Sequence, residues 1–461
     1  MNVLGIIAEY NPFHKGHAFH IESARKQADA DYVVVVLSPD FVQRGEPSLL
    51  DKYFRARCAL MCGADLVLEM PVACACGSAE HFARSGVQIL NSLGVVNTLS
   101  FGAETPDLPV LEAAAELLNS ETEEYRTALK EHLSQGYSFP EAREAAVLSC
   151  HTGSLNDSVK TGLLRSPNNI LAVEYLKANI RTGRQLSVLP VQRSGSAYHD
   201  TDMSGSLSSA AAIRHTVHGT ISGKPADNLS AAIPEVVHDL FFSELSNAVF
   251  PDDFAQAVQL KLLSTDSFTE YTDVSQDLAN RLSSLKYACQ GLSWKEMVDL
   301  ICTREMTRTR IQRVLLHLLL GITYEHSQYL HHAEIYPYIR VLGFRKDAAS
   351  LLRAIKTRGR TSLITKYSAV QGIADGQERD YRQESAYGQG LADINRLADA
   401  QGHTEMGHNE SIHNIRMDNI RMHKEILLAD VYASHLYRSI RCSKYHLPFR
   451  TEYEYSPVIL S

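Results

Sequence analysis

The run Tyr32–Leu37 reads Tyr-Val-Val-Val-Val-Leu, six residues with no charged or amide side chain among them, and it limits the possible folds more than any other stretch. A strand with one wet face alternates polar and apolar residues. One that does not alternate is covered on both faces, which is the situation of a parallel strand sandwiched between helices. Around this run the pattern repeats. Val3–Ala8 predicts a strand, 16–28 a helix, 49–62 a helix, 65–69 a strand, 79–93 a helix and 98–101 a strand closed by Gly102. Further on, 167–178 predicts a helix, 185–191 a strand and 208–218 a helix. Short β-branched runs alternating with helical stretches predict βαβ units, hence an α/β fold with a mostly parallel sheet. Ligands of such sheets bind at the carboxyl ends of the strands, where strand order reverses.

At 461 residues the chain has room for two to three domains of about 150 residues each. The Gly- and Pro-containing stretch 219–227 predicts a boundary near Pro225. Beyond it strand signals thin out and amphipathic helical patterns take over at 254–263, 278–285 and 311–320, so 226–461 is expected to be mainly α-helical. Residues 106–150 predict a helical excursion from the sheet, and 370–420, rich in Gln, Gly, Asp, Asn and His, a polar insert. Forty-five Lys and Arg against 53 Asp and Glu leave a net charge of −8. Such a chain is no general polyanion binder, and a nucleic-acid partner would need a local basic surface.

The eight cysteines at 58, 62, 74, 76, 150, 289, 302 and 442 lack the spacing of a disulfide framework, and the N-terminal run lacks a basic n-region, so a cytoplasmic protein is expected. The apolar stretch 314–322 is half a membrane span and contains His317, so no transmembrane helix is expected. Cys58 and Cys62 at i, i+4 fit a buried helical face, and His403, His408, His413 and His423 have no tetrahedral spacing, so structural zinc is not expected.

The chemistry concentrates directly after the first strand, in Glu9-Tyr10-Asn11-Pro12-Phe13-His14-Lys15-Gly16-His17. Asn11-Pro12 turns the chain, and Gly16 lets backbone approach a ligand with no Cβ in the way. A helix starting there aims free N–H groups and the positive end of its dipole above the sheet, an anion site. His14 and His17, three residues apart, can both donate to phosphate oxygens. The bland alternative is a loop with solvent-facing imidazoles.

Placed after an N-terminal strand, this stretch resembles the nucleotidylyltransferase superfamily, whose H-x-G-H motif holds the triphosphate of ATP. Other segments in order are 41–47 (Phe-Val-Gln-Arg-Gly-Glu-Pro), 64–71, Phe101-Gly102-Ala103-Glu104 and Pro167-Asn168-Asn169. With Ser208-Ser209, Ile213-Arg214, 307–313 and 340–345 they make the chain similar to the tRNA(Met) cytidine acetate ligase family over most of its length; Asp40 departs from the Asn of a typical member. The resemblance implies a Rossmann-like nucleotidylyltransferase domain at 1–225 and a tRNA-binding region at 226–461. It implies a ligase that forms acetyl-adenylate from acetate and ATP, with Mg²⁺ accompanying the polyphosphate, and passes the acetyl group to N4 of the wobble cytidine of elongator tRNA(Met).

It also implies an ATP site built from Ile7, Ala8, Glu9, Tyr10, Asn11, Pro12, Phe13, His14, Lys15, Gly16, His17, Ala18, Phe19 and His20, with Gly102, Asn168, Arg193 and Ser194, and with Ser209 and Arg214 closing over phosphates. His14 and His17 are the implied catalytic pair. Each residue has a simpler alternative: Gly102 as a turn glycine, Asn168 as a helix cap, Arg193 as a surface charge, Ser209 and Arg214 as a helix start and a solvated face. Two other readings stay open, a second enzyme, a small-molecule adenylyltransferase, and a protein of a different class, a non-catalytic tRNA-binding protein. For RNA, two basic clusters are candidates: Arg304, Arg308, Arg310 and Arg313; and Arg340, Arg345, Lys346, Arg353, Lys356, Arg358, Arg360 and Lys366, with Tyr336 and Tyr338 nearby.

Overall fold

Along the first strand, β1 (Val3–Ala8), side chains alternate between two cores: Val3 and Ile7 enter one, Leu4 and Ile6 the other. Strand β2 (Tyr32–Leu37) does the same, with Val34 and Val36 on one side and Val33, Val35 and Leu37 on the other. Two covered faces are why the run needs no polar alternation, and each such side chain contributes about 1.5–3 kcal/mol on burial. The structure, a computed structural model, describes residues 1–150, 154–160, 162–193, 209–221, 229–333, 336, 338–367 and 405–461; for 154, 156, 160, 221 and 405–420 it describes backbone alone.

Among the described residues the chain adds the short hairpin β3 (Phe41–Val42) and β4 (Glu46–Pro47), then β5 (Leu66–Glu69), β6 (Thr98–Ala103), β7 (Ser187–Gln192), β8 (Ile339–Arg345), β9 (Leu363–Ile364) and β10 (Val458–Leu460). The eight-stranded sheet runs β10-β8-β5-β2-β1-β6-β7, with β9 beside β8. Strands β5, β2, β1, β6 and β7 are mutually parallel and β8 is antiparallel to β5. From β1 the chain winds outward through β2 and β5, then crosses back to β6. The reversal of strand order therefore falls between β1 and β6, and the crevice above their carboxyl ends is where a ligand is expected.

Helix α1 (Lys15–Gln27) covers one face through Ile21 and Ala24; α2 (Lys52–Met61) lies on the same side, and α4 (Ala79–Ser92), after the single turn α3 (Val72–Ala75), covers the other through Phe82, Val87 and Leu90. Between β6 and the helix Pro167–Arg181 the described chain is helical, as the reading of 106–150 anticipated. The second half is mainly helical too, but it contributes β8, β9 and β10 to the sheet, which the thin strand signals there did not announce. Of the polar segment, 370–404 lies outside the described residues, while 405–420 forms the start of the long helix Glu405–Tyr445. No described helix is long and apolar enough to cross a membrane.

Candidate active site

Just past β1 the backbone is forced into an uncommon shape. Tyr10 takes a left-handed conformation, φ 50°, which costs a bulky residue about 1–3 kcal/mol. Its buried ring, 4.9 Å from that of Phe13 and 4.7 Å from that of His17, offsets the cost. The Asn11-Pro12 peptide is cis. The Asn11 side-chain oxygen accepts the Leu49 N–H at 2.7 Å, and its carbonyl accepts from the Arg214 guanidinium at 2.7 Å. Ile7 and Ala8 belong to the strand and its cores, while Phe13 is buried beneath the loop.

His14 is the N-cap of α1. Its Nδ1 accepts the Gly16 N–H at 3.0 Å, while its own N–H donates to His17 Nδ1 at 3.3 Å, a capping box made of two imidazoles. Because both Nδ1 atoms are acceptors, the neutral tautomer of each ring carries its proton on Nε2. The rings lie 3.8 Å apart at 34° and leave two Nε2–H donors at the positive end of a helix, as polyphosphate binding requires. His20, a turn further, is tied through Nε2 to Ser100 Oγ at 2.9 Å, joining α1 to β6 across the crevice. Lys15 and Ala18 are half-buried on the first turn, whereas Phe19 is 43% exposed and packs no part of this loop.

Gly16 is a steric requirement of this arrangement. A Cβ there would sit 2.8 Å from His14 Cε1 and 3.0 Å from Nδ1, so the ring would have to leave its cap. Gly16→Ala is expected to weaken binding of an ATP analogue about 5- to 30-fold, the equivalent of a lost cap at about 1–2 kcal/mol. Ala favours the helix by up to about 1 kcal/mol, so the melting midpoint should barely move. A titration beside a thermal melt checks both halves of that expectation.

The opposite wall comes from β6, β7 and the helix Pro167–Arg181. Asn168 donates to Glu104 Oε1 at 2.6 Å and accepts from Arg193 Nη1 at 2.9 Å, while Glu104 Oε2 accepts the Asn169 N–H at 2.9 Å. A Cβ on Gly102 would come within 3.0 Å of Arg193 Cγ, so that glycine lets the arginine stem lie flat on β6. Ser209 caps its own helix by accepting the Ala212 N–H at 3.1 Å. Ser194 lies outside the described residues.

Electrostatics bind these parts into one site. Burial, then the guanidiniums of Arg193 and Arg214, push the His14 imidazole down to about 3. Burial, then His14, Arg193 and His20, hold His17 well below the usual imidazole range, and burial with Arg193 brings His20 to about 4. Near neutral pH the site thus holds three uncharged imidazoles beside two guanidiniums, a charge balance suited to a multiply charged anion.

Two arginines outside the predicted site support the loop. Arg55, wholly buried on α2, donates to the carbonyls of Leu50, Glu9, Ser38 and Pro39 at 2.9, 2.6, 3.0 and 2.5 Å, pinning the carboxyl ends of β1 and β2 together. Arg44, in the β3–β4 hairpin, faces Glu9. An arginine set between apolar residues in the predicted helix 49–62 was the available signal for Arg55. Asp40 is buried as well and accepts the Lys52 N–H at 2.8 Å.

A sequence profile for a family described as HIGH Nucleotidyl Transferase matches residues 1–401. The tRNA(Met) cytidine acetate ligase of Acetivibrio thermocellus is 39% identical over 373 residues, covering 80% of this chain and 89% of that protein. The chain belongs to that family. Its relative of the same name in Clostridium acetobutylicum is 33% identical over 403 residues, covering 87% of this chain and 98% of its own. The crystal structure of Thermotoga maritima TmcAL in its apo form superposes with a TM-score of 0.83 at 27% identity, covering 100% of both chains. A second form, bound with alpha-thio ATP, gives 0.81 at 26% identity over the same coverage.

The basic clusters fare unevenly. Arg308 pairs with Asp299, Arg310 donates to the Asp273 carbonyl at 3.0 Å, and Arg313 reaches the Asp273 carboxylate at 3.4 Å. Arg340 is 1% exposed and Tyr336 and Tyr338 are buried, so none of the three is a surface contact for RNA. Arg345 pairs with Asp347 at 2.8 Å. Arg353, Lys356, Arg358, Arg360 and Lys366 are different: all are exposed. None of them has an acidic partner among the described residues, and Arg304 and Lys346 are exposed likewise.

Proposed function

We propose that this chain is an ATP-dependent acetate ligase, which forms acetyl-adenylate and pyrophosphate and then transfers the acetyl group to N4 of the wobble cytidine of elongator tRNA(Met), in the cytoplasm where these substrates are met. The observation that carries the reading is the pair of stacked imidazoles at the α1 N-terminus, both with Nε2–H free to donate, placed at the reversal point of the sheet.

The chemistry follows from charge. Acetate, a carboxylic acid like Asp and Glu, is already ionised near neutral pH and attacks the α-phosphorus without a general base. What the protein supplies is position and a counter-field: His14 and His17 Nε2–H, the helix N-terminus, Lys15, Arg193 and Arg214 meet the negative charge that grows on the phosphates. Cytosine N4 is a weak nucleophile, its lone pair being delocalised into the ring, and the mixed anhydride compensates for that weakness. Among the described residues no group of three or more His, Cys, Asp or Glu is arranged to hold a metal ion. A Mg²⁺ ion would accompany the ATP phosphates, and no step here is assigned to it. For the RNA, the exposed cations from Arg353 to Lys366 within the region 226–461 are the surface we favour.

Incubation with ATP, labelled acetate and elongator tRNA(Met) tests the proposal. Label in the RNA supports it; an adenylylated small molecule without labelled RNA favours an adenylyltransferase; tight tRNA binding with no turnover favours a binding protein.

A further inference from the structure

We propose that Glu9 is the proton acceptor of the acetyl-transfer step. The proposal rests on the ligase reading above and names a role that reading leaves open. As N4 attacks the anhydride carbonyl, an N–C bond forms and the C–O bond to phosphate breaks, AMP leaving with that electron pair. The nitrogen then carries one hydrogen too many for a neutral amide, and that proton needs a base.

The other bases of the crevice are engaged. His14 and His17 use Nδ1 to accept backbone N–H groups and carry hydrogen on Nε2, and His20 is bound to Ser100. Both oxygens of Glu104 hold Asn168 and Asn169, and Asp40 is 1% exposed and holds Lys52 N–H. Glu9 is only partly buried, directly beyond the carboxyl end of β1, and its Oε1 accepts the Gln43 N–H at 2.7 Å.

Its position suits a substrate arriving from the second half of the chain. Gln43 belongs to the hairpin β3–β4, and that hairpin lies on the helix Arg308–Leu320. Gly45, at φ 77°, fits there only because it has no Cβ, which would stand 2.3 Å from the Arg313 nitrogen. The carboxylate is thus held at the seam between the phosphate loop and the second half of the chain. The groups facing it are Arg44 from the hairpin, Arg214 from the helix Ala210–Ile221 and Arg55 from α2, together with Cys76 and Tyr175. Burial pushes the Cys76 thiol and the Tyr175 phenol up, so both stay protonated. Burial of Glu9 outweighs the three guanidiniums and raises its carboxyl above the ordinary range, making it a stronger base than a solvated glutamate.

Glu9→Gln keeps an acceptor for Gln43 N–H and removes the basic oxygen. In single turnovers from acetyl-adenylate, transfer to tRNA should fall about 100-fold or more, the usual size of a general-base contribution, a loss at least about tenfold greater than any loss of acetate-dependent pyrophosphate exchange. The wild-type transfer rate should climb with pH through a raised carboxyl titration, a limb the glutamine variant lacks and Glu9→Asp partly restores. Equal losses in both steps, or undiminished transfer in the glutamine variant, would overturn the proposal while leaving the ligase reading standing. No acetate-dependent exchange in the wild-type protein would overturn that reading and this proposal with it.

Discussion

Replacing His17 with alanine will cut acetate-dependent pyrophosphate exchange about 10²- to 10³-fold, or about 3–4 kcal/mol of transition-state stabilisation, while tRNA binding stays within about twofold. The size follows from what the side chain offers: an Nε2–H donor fixed in direction because Nδ1 is held by the His14 N–H, inside a site where burial keeps the ring neutral. Stability should suffer much less, since the variant loses one weak cap at 3.3 Å, worth about 0.5–1 kcal/mol, and part of a ring contact with Tyr10. His17→Asn, which retains a donor, should recover part of the exchange rate. A melting midpoint near wild type with exchange collapsed identifies a chemical role. A fall in tRNA affinity matching the fall in exchange would show that the two functions are not divided as proposed.

The largest stability loss is expected from Glu452→Ala, far from that loop in sequence. Glu452 is 0% exposed and meets Lys52 at 2.8 Å, Arg340 at 2.9 Å and Arg438, while Tyr53 donates to it at 2.8 Å. Glu69, also buried, is the other carboxylate at Lys52, at 2.6 Å. Truncating Glu452 leaves three interior cations sharing too little negative charge, and breaking a buried pair from one side costs about 3–5 kcal/mol. Denaturant or thermal unfolding should register it, with Glu454→Ala, an exposed cap nearby, changing little. Acid should act similarly. Burial pushes the Glu452 carboxyl up, but Lys52, Arg340 and Arg438 together outweigh it and hold the group below the usual range. Its contribution is therefore complete above about pH 4.5 and lost as pH falls further. An unchanged midpoint in the alanine variant would mean that Glu69 neutralises the cluster alone.

What could be read in advance was whatever is decided locally. Both central strands were legible because a strand covered on two faces must be apolar throughout, and the histidine loop that follows β1 because Asn-Pro, Gly16 and two histidines three apart lie within one short segment. Arg193 and Arg214 were named only through resemblance, since nothing near them in sequence places either guanidinium beside His14. Strand β8 was not legible. Its Arg340 reads as surface charge and becomes interior only because Glu69 and Glu452 arrive from distant parts of the chain. Arg308 and Arg310 erred the other way: they read as a free basic face, yet Asp299 and the Asp273 carbonyl already engage them. Charge patterns show how many charges there are; their partners are set by tertiary contacts.

The pairing of Tyr53 with Glu452 spans 399 residues. On a ribosome moving at about 5–20 residues per second, the two are made roughly 20–80 s apart. Through that interval the nascent chain can build β1, β2 and the histidine loop, but Lys52 must wait without one of its two counter-charges and β8 without the neighbour it gains in β10. A polypeptide stalled before residue 452 would therefore present an unsealed sheet edge to whatever chaperone attends the exit tunnel.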